Sequence, residues 1–377
     1  MPRSAFFKLV ALAAVLHVYI GFRLLPPIGL HGAGLAAGIG LLAASAILVP
    51  TGLIASSLRR AHWTAALTWA SLLSMGLFSS LLVLTFLRDV VLLILTIIGV
   101  AGPEVTRLSA IGVPLLALAA SAAGLVNARR LARVVTVEVP VAGLPPALHG
   151  YTIVQISDIH VGPTIKRNFL DAIVDRVNGL NGDAIAITGD LVDGSVAQLA
   201  EHTAPLARLQ ARDGVFFVTG NHEYYSGATA WIAELRRLGL TVLMNQHVLR
   251  ERDGATVMIA GVADFTAHLF DPGHRSDPQQ AAAGAPPGIA VRILLAHQPR
   301  TALDAADAGY HLQLSGHTHG GQFFPWNLFV PLQQPYVAGL QKLRTMWVYT
   351  SRGTGYWGPP KRFGAPSEIT RVKLVAA

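Results

Sequence analysis

No cysteine occurs among the 377 residues. That excludes disulfide scaffolds, cysteine-ligated zinc and thiol nucleophiles, and it removes cysteine usage as a guide to redox compartment. Charge is scarce as well: Asp, Glu, Lys and Arg make up 13% of the chain, against roughly 25% in ordinary soluble domains. Walker A, G-x-S-x-G and H-E-x-x-H signatures are absent, so competing NTPase and hydrolase readings lack their marks. There is no internal repeat at solenoid or propeller spacing. What the chain has instead is apolar sequence, 52% hydrophobic with a mean hydropathy of +0.48. A disordered or fibrous chain is thereby excluded, and membrane-embedded sequence is indicated.

The net charge of +8 is unevenly placed. Residues 1–133 hold ten Lys/Arg and two Asp/Glu, whereas residues 134–377 hold nineteen of each. The excess therefore lies in the apolar half, where it reports membrane topology better than a nucleic-acid footprint. Histidine runs the other way, with 11 of 14 after residue 133. Length and this partition predict two units: an all-α transmembrane region of about four helices over 1–133, and a soluble α/β domain over 134–377.

A helix needs about 20 apolar residues to span a bilayer. Residues 6–25, 30–55, 63–87 and 110–128 meet that requirement. The first, with Arg3 and Lys8 at its start, has the marks of a signal peptide, but three further runs follow and a retained span is expected. Gly34-xxx-Gly38 in the second run has a spacing that permits close helix approach, although the pattern is loose enough to arise by chance. Arg88-Asp89 interrupts the third run, and residues 90–101 are short for a crossing, which fits an interfacial or re-entrant piece. The charged pair reads as a buried functional pair or, the favoured expectation, as residues at the membrane boundary, since adjacent residues diverge on a helix. Four spans put Arg3, Lys8, Arg59, Arg60, Arg129, Arg130 and Arg133 on one side, against Arg23 and Arg107. That bias places the second half in the cytoplasm; a fifth crossing at 90–101 would reverse it.

After residue 133 the pattern becomes short β-branched runs separated by amphipathic stretches. Strands are expected near 134–139, 151–156, 184–187, 215–218, 257–260, 291–295, 347–350 and 369–374, with helices near 169–180, 196–210 and 230–238. The Pro-punctuated stretch 264–288 reads as a loop or lid. Polar residues stand where strands end, the usual place for sites in α/β architectures. They are Ser157-Asp158-Ile159-His160, Thr188-Gly189-Asp190, Thr219-Gly220-Asn221-His222-Glu223, Ala296-His297 and Ser315-Gly316-His317-Thr318-His319.

These residues suit a dinuclear metal centre. Asp158 and His160 are two apart, as are His317 and His319, and in extended backbone such pairs point to one side. Imidazoles with carboxylates and an amide oxygen suit divalent Mn, Fe or Zn better than Ca or Mg. Two metals need a bridging carboxylate, for which Asp190 is the natural candidate.

The series Asp158-x-His160, Gly189-Asp190, Gly220-Asn221-His222-Glu223, His297 and Gly316-His317-x-His319 resembles the calcineurin-like metallophosphoesterase superfamily. The run from Gly316 to Gln322 and the tail from Ser351 to Gly355, through Arg362 and Glu368, resemble its membrane-anchored bacterial branch. The resemblance covers residues from about 134 to the end. It implies a sandwich of two mixed β-sheets flanked by helices, with two divalent metals at one edge. It implies a first metal held by Asp158, His160, Asp190 and His319, and a second by Asp190, Asn221, His297 and His317. His222 is then the residue that contacts the scissile phosphate and protonates the leaving oxygen or stabilises charge on the phosphoryl group. No protein nucleophile is required, because hydroxide carried by the metals attacks phosphorus in line. Many relatives have Asp where this chain has Glu223, which is expected to hold an imidazole in place. Asp193 reads equally well as such a supporting residue or as plain turn chemistry before Gly194.

Lys342, Arg344, Arg352, Lys361 and Arg362 fall within 21 residues and read as a cradle for phosphate or anionic lipid, or as solvated surface. Phe323, Phe324, Trp326 and Phe329 read as the wall of an acyl-chain or headgroup pocket or as core. The leading expectation is a membrane-anchored phosphoesterase acting on a phosphoester, a diester in preference to a monoester, in a lipid-linked or envelope-related substrate. The lipid bilayer is its partner and nucleic acid is disfavoured. The alternative is a non-catalytic membrane sensor or transport protein whose metal domain binds a phosphorylated ligand. The complete ligand set with His222 weighs against it.

Overall fold

In the computed structural model, which describes residues 3–55 and 62–377, the apolar runs of the first half form four helices. They are α1 (Arg3–Ile28), α2 (Gly32–Ala55), α3 (His62–Ile97) and α4 (Pro103–Arg129). All four are long and apolar enough to cross a membrane. Their outward faces carry Phe7, Phe22, Leu41, Ile47, Leu93 and Leu116, all exposed, as lipid-facing helices require. Arg59 and Arg60, which contribute to the charge bias, lie outside the described residues.

α3 does not stop at Arg88-Asp89, and residues 90–97 are its last two turns rather than a separate interfacial piece. The two charges do diverge, as neighbours on a helix must, but each finds partners within the bundle. Asp89 accepts from Tyr19 Oη at 2.7 Å and from Arg23 Nε at 2.8 Å. Arg88, buried, donates to Thr106 O at 2.9 Å, Ser109 Oγ at 3.0 Å and Arg23 O at 3.2 Å. The charges therefore join α1, α3 and α4. A Cβ on Gly38 would lie 2.8 Å from Leu25 Cδ2 and one on Gly21 would lie 3.2 Å from Leu42 Cδ1, so the absent side chains let α1 and α2 approach.

Residues 358–363 group with these helices rather than with the rest of the second half. Lys361 Nζ donates to Gly76 O at 2.9 Å, to Ser121 Oγ at 3.1 Å and to Ser80 Oγ, while Arg362 N donates to Gly124 O at 2.9 Å.

The second unit, residues 128–357 and 364–377, is a two-sheet sandwich. Its strands are β1 (Arg133–Val141), β2 (Thr152–Ile156), β3 (Ala184–Thr188), β4 (Val215–Val218), β5 (Thr241–Val242) and β6 (Gln246–Arg252). They continue with β7 (Ala255–Gly261), β8 (Val291–Leu295), β9 (Leu312–Ser315), β10 (Gly339–Leu343), β11 (Met346–Thr350) and β12 (Glu368–Ala376). One sheet has the order β1-β12-β2-β3-β4-β5 and the other β10-β11-β9-β8-β7-β6; both are mixed.

Period-two alternation builds the sandwich. Ile153, Ala184, Ala186 and Phe216 face the core between the sheets, with Ile259, Ile293, Leu314 and Val372. Their neighbours Val154, Ile185, Ile187 and Phe217 face the outer layer, where Leu170, Val174, Trp231 and Leu235 pack. Those outer residues lie on α5 (Arg167–Asn178) and α8 (Ala228–Arg237); between these helices come α6 (Val196–Thr203) and α7 (Asn221–Ser226). The helix expected over 196–210 tightens into a 3-10 turn at Ala204, before Pro205. The stretch 264–288 is not a free lid. It forms short helical turns whose Pro278 and Ala281 are buried, and Tyr310 Oη donates to Pro278 O at 3.1 Å.

The bundle predicts an asymmetric response to two carboxylate deletions. Asp89→Ala leaves Tyr19 and Arg23 without their shared acceptor and should cost about 1–3 kcal/mol. Glu104→Ala removes only an exposed pair with Arg107 and should be nearly silent. Thermal unfolding of the full chain in mild detergent checks both.

Candidate metal centre

Every residue that the sequence singles out as a ligand comes from the C-terminal end of a strand, or the residues just beyond, and the two sheets bring these ends together. Asp158 and His160 follow β2, Asp190 follows β3, Asn221 and His222 open α7 after β4, His297 follows β8, and His317 and His319 follow β9. Ligand-competent atoms of Asp158, His160 and His319 lie within 4.8 Å of one another, and so do those of Asp190, His297 and His317. His160 Nε2 also stands 3.9 Å from Asp190 Oδ2, which brings Asp190 near both groups.

The i, i+2 pairs reach this arrangement by a route other than extended backbone. Asp158, His160, Asp190, His317 and His319 all have φ between +51° and +70°. Left-handed non-glycine residues cost on the order of 1–3 kcal/mol each and persist where surrounding structure over-determines them. Five of the seven candidate ligands share this conformation, which marks the site more sharply than spacing does.

Two ring contacts fit a cation between the rings better than a hydrogen bond. His160 Nε2 lies 3.1 Å from His319 Nε2, and His297 Nε2 lies 3.2 Å from His317 Nδ1 and 3.2 Å from Asp190 Oδ2. The far side of the ring fixes which nitrogen faces inward. His160 Nδ1 donates to Asp193 Oδ1 at 3.1 Å and His297 Nδ1 donates to Thr188 O at 2.8 Å, leaving each Nε2 directed into the cluster. Asn221 Oδ1 is buried without a hydrogen-bond partner, an orphan acceptor that a cation would satisfy. The donor set of imidazoles, carboxylates and one amide oxygen thus fits divalent metal.

His222 stands beside the cluster. Its Nδ1 donates to Asp193 Oδ1 at 2.6 Å and its Nε2 lies 4.0 Å from Asp190 Oδ2. Burial opposes a charge on this ring, but Asp190 and Asp193 outweigh it and hold its pKa up at about 9. Burial, followed by the neighbouring charge of His297, pushes His317 down to about 3, so that ring stays neutral and able to ligate. Asp193 is therefore more than turn chemistry, since one of its oxygens orients both His160 and His222.

Glu223 does not hold an imidazole. It accepts from the backbone nitrogens of Gly220 at 2.6 Å, Leu191 at 2.7 Å and Asp190 at 3.0 Å, and so pins the loops after β3 and β4 together. Glycine is required where such loops meet: between the loops after β3 and β4 a Cβ on Gly220 would fall 2.2 Å from Asp190 Oδ1, and between those after β2 and β9 one on Gly316 would fall 2.0 Å from Ser157 Oγ.

The basic residues of the tail do not form one cradle. Arg344 pairs with Asp307, Arg352 with Glu368, and Lys342 lies over the Trp347 ring, while Lys361 and Arg362 group with the helices. Of the four aromatics after His319, Phe323 is buried, whereas Phe324, Trp326 and Phe329 are exposed. Tyr225, Phe270 and Trp357 near His222 escaped sequence reasoning. Only Tyr225 carries a signal, lying three residues after His222 on the same helical turn.

Comparison with known proteins fits this geometry. The calcineurin-like phosphoesterase family matches residues 151–321. A transmembrane protein with metallophosphoesterase domain from Bos taurus is 44% identical over 268 residues, covering 68% of this chain and 60% of that protein. A zebrafish (Danio rerio) protein of the same name is 42% identical, and the chain again spans only 60% of its length. The metallophosphoesterase YkuE of Bacillus subtilis is 32% identical over 239 residues, covering 61% of this chain and 81% of YkuE.

Two substitutions test the site without replacing a candidate ligand. Asp193→Ala should weaken Mn binding about 10–100-fold, the loss usual when a partner behind a ligating imidazole is removed. Gly316→Ala should reduce bound metal at least as much, because its Cβ would displace Ser157 and Asp158. Metal content after equilibrium dialysis gives both results.

Proposed function

The chain belongs to the calcineurin-like metallophosphoesterase family, and from that premise we propose that it is a metal-dependent phosphoesterase that hydrolyses a phosphodiester in a lipid-linked or envelope-related substrate. The facing imidazole pairs on either side of Asp190 carry the reading of the centre. In it, Asp158, His160, Asp190 and His319 hold one divalent cation, and Asp190, Asn221, His297 and His317 hold a second. Such cations supply Lewis acidity toward phosphoryl oxygens and a nucleophile at neutral pH. Asp190 spans the two positions, and Asp193 keeps His160 and His222 in register. His222, held protonated beside the cluster, binds a phosphate oxygen and returns a proton to the leaving group.

Two features support a lipid-borne substrate. Four helices long enough to cross a membrane are part of the chain, and tethering raises the effective concentration of substrates in that membrane. In addition, residues 320–341 contain no charged residue and expose Phe324, Trp326, Leu328, Phe329 and Leu332, the surface expected of a segment at a lipid interface. Arg352, whose side chain lies against Gly320 just after His319, is engaged by Glu368, which favours a singly charged diester over a dianionic monoester. The basic bias of Arg3, Lys8, Arg129, Arg130 and Arg133 supports a cytoplasmic catalytic domain.

The test uses full-length protein in mild detergent, loaded with Mn and offered a nitrophenyl phosphodiester beside the monoester. Diester turnover should dominate, and Asp190→Asn should lower it more than about 100-fold, beyond the loss typical of an outer residue. Equal activity in the variant would refute the assignment of the centre. Efficient hydrolysis of soluble nucleotides with none of any phospholipid or lipid-linked phosphate in proteoliposomes would refute the substrate class.

A further inference from the structure

Three aromatic rings stand in the open beside His222, although burial is their usual state. Tyr225, Phe270 and Trp357 are 63%, 52% and 52% exposed. They are nevertheless placed in a defined order. The Tyr225 ring lies 5.1 Å from the His222 ring at 65°, and the Trp357 ring lies 5.6 Å from it at 75°, both edge-on. Phe270 extends the surface, 5.6 Å from Tyr225 at 61°.

Each ring is also fixed from behind. Trp357 is clamped through its backbone: Gln322 Nε2 donates to Trp357 O at 2.7 Å, and Trp357 N donates to Gln322 Oε1 at 2.8 Å. Gln322 follows His319 by three residues, so the segment that carries a candidate ligand also sets Trp357. Tyr225 rides on α7 one turn after His222. Phe270 packs against Tyr224, which is buried with Ala263 and Ala267 and shares a hydrogen bond with His274 Nδ1 at 3.0 Å. Exposed aromatic surface held in place and gathered at a reaction site is available for a ligand to cover. None of the three side chains carries charge, so the group they suit is apolar.

We propose that Tyr225, Phe270 and Trp357 form a binding slot for an apolar group esterified to the phosphate, an aromatic ring or an alkyl chain, and that they set substrate preference. The proposal rests on the phosphoesterase reading of the centre, because the cations and His222 locate the phosphate that this group is attached to. It assigns to the three rings no part in bond cleavage.

Binding, read by calorimetry on the full-length Mn-loaded protein in nanodiscs, separates this slot from the chemistry. The probes are methyl-, butyl- and phenylphosphonate, which share one anionic head and differ only in the apolar group. Butyl- and phenylphosphonate should bind about tenfold or more tighter than methylphosphonate. Trp357→Ala and Tyr225→Ala should each shrink that ratio toward one while leaving methylphosphonate affinity unchanged, and Trp357→Phe should restore it. A ratio for phenyl but not butyl would narrow the slot to aromatic groups, and the reverse would narrow it to alkyl chains. Equal binding of all three probes by the wild-type protein would overturn the proposal. So would a Trp357→Ala variant that weakens all three alike, since the ring would then be supporting the fold. A retained preference with no hydrolysis of any ester would uphold the slot and overturn the hydrolytic reading alone.

Discussion

Burying Asp158 and Asp190 beside four imidazoles is unfavourable unless positive charge is held among them, and the second unit is organised around that condition. Facing ring nitrogens 3.1–3.2 Å apart, an amide oxygen with no donor and five left-handed backbones would each be a defect in an ordinary core. Together they become a consistent description of a cation-binding cluster. The strain is distributed over two sheets, each of which aims the ends of parallel strands at the same place. Neither sheet alone supplies the full set, so the site holds the sandwich to one geometry as much as the sandwich holds the site.

The surrounding residues act mainly on orientation. Thr188 O and Asp193 determine which imidazole nitrogen faces inward, and Asp158 accepts from His317 N at 2.9 Å, tying the loop after β9 to the loop after β2. Glu223 performs the same service for the loops after β3 and β4 with three backbone hydrogen bonds. Asp158 and Asp190 therefore both face the cluster and hold backbone in place, whereas Glu223 secures backbone alone.

Much of this was legible in the sequence because chemistry-bearing residues stand directly after apolar β runs. The strands β2, β3, β4 and β8 are mostly apolar segments, and the ligand types after them are too specific to be ordinary turn residues. The left-handed backbone was not legible, since a spacing of two is compatible with extended or αL residues alike. β9 is marked in the sequence only by the polar residues that follow it, and β5, β6 and β10 are unmarked for a different reason. β5 has only two residues, and the edge strands β6 and β10 carry Arg250, Glu251, Arg252 and Lys342, which gives them the polarity of loops. The continuity of α3 through Arg88-Asp89 was hidden because the partners that make those charges tolerable lie on α1 and α4. The role of Glu223 was misassigned on analogy: its side chain turns back to its own loop, which residue type alone does not disclose.

The six residues from Gly358 to Phe363 have a practical consequence. They lie late in the chain yet group with the helices, and Lys361 is buried there against Gly76, Ser80 and Ser121. The boundary between the two units therefore cannot be drawn as a single cut. A fragment beginning at residue 134 would contain both sheets and every candidate ligand, but it would carry a loop whose lysine and neighbouring Pro359 had lost the surface they pack against. Such a fragment would expose a cationic, proline-stiffened loop immediately after Trp357. Anyone seeking a water-soluble version of the domain has to redesign that loop as well as remove the helices.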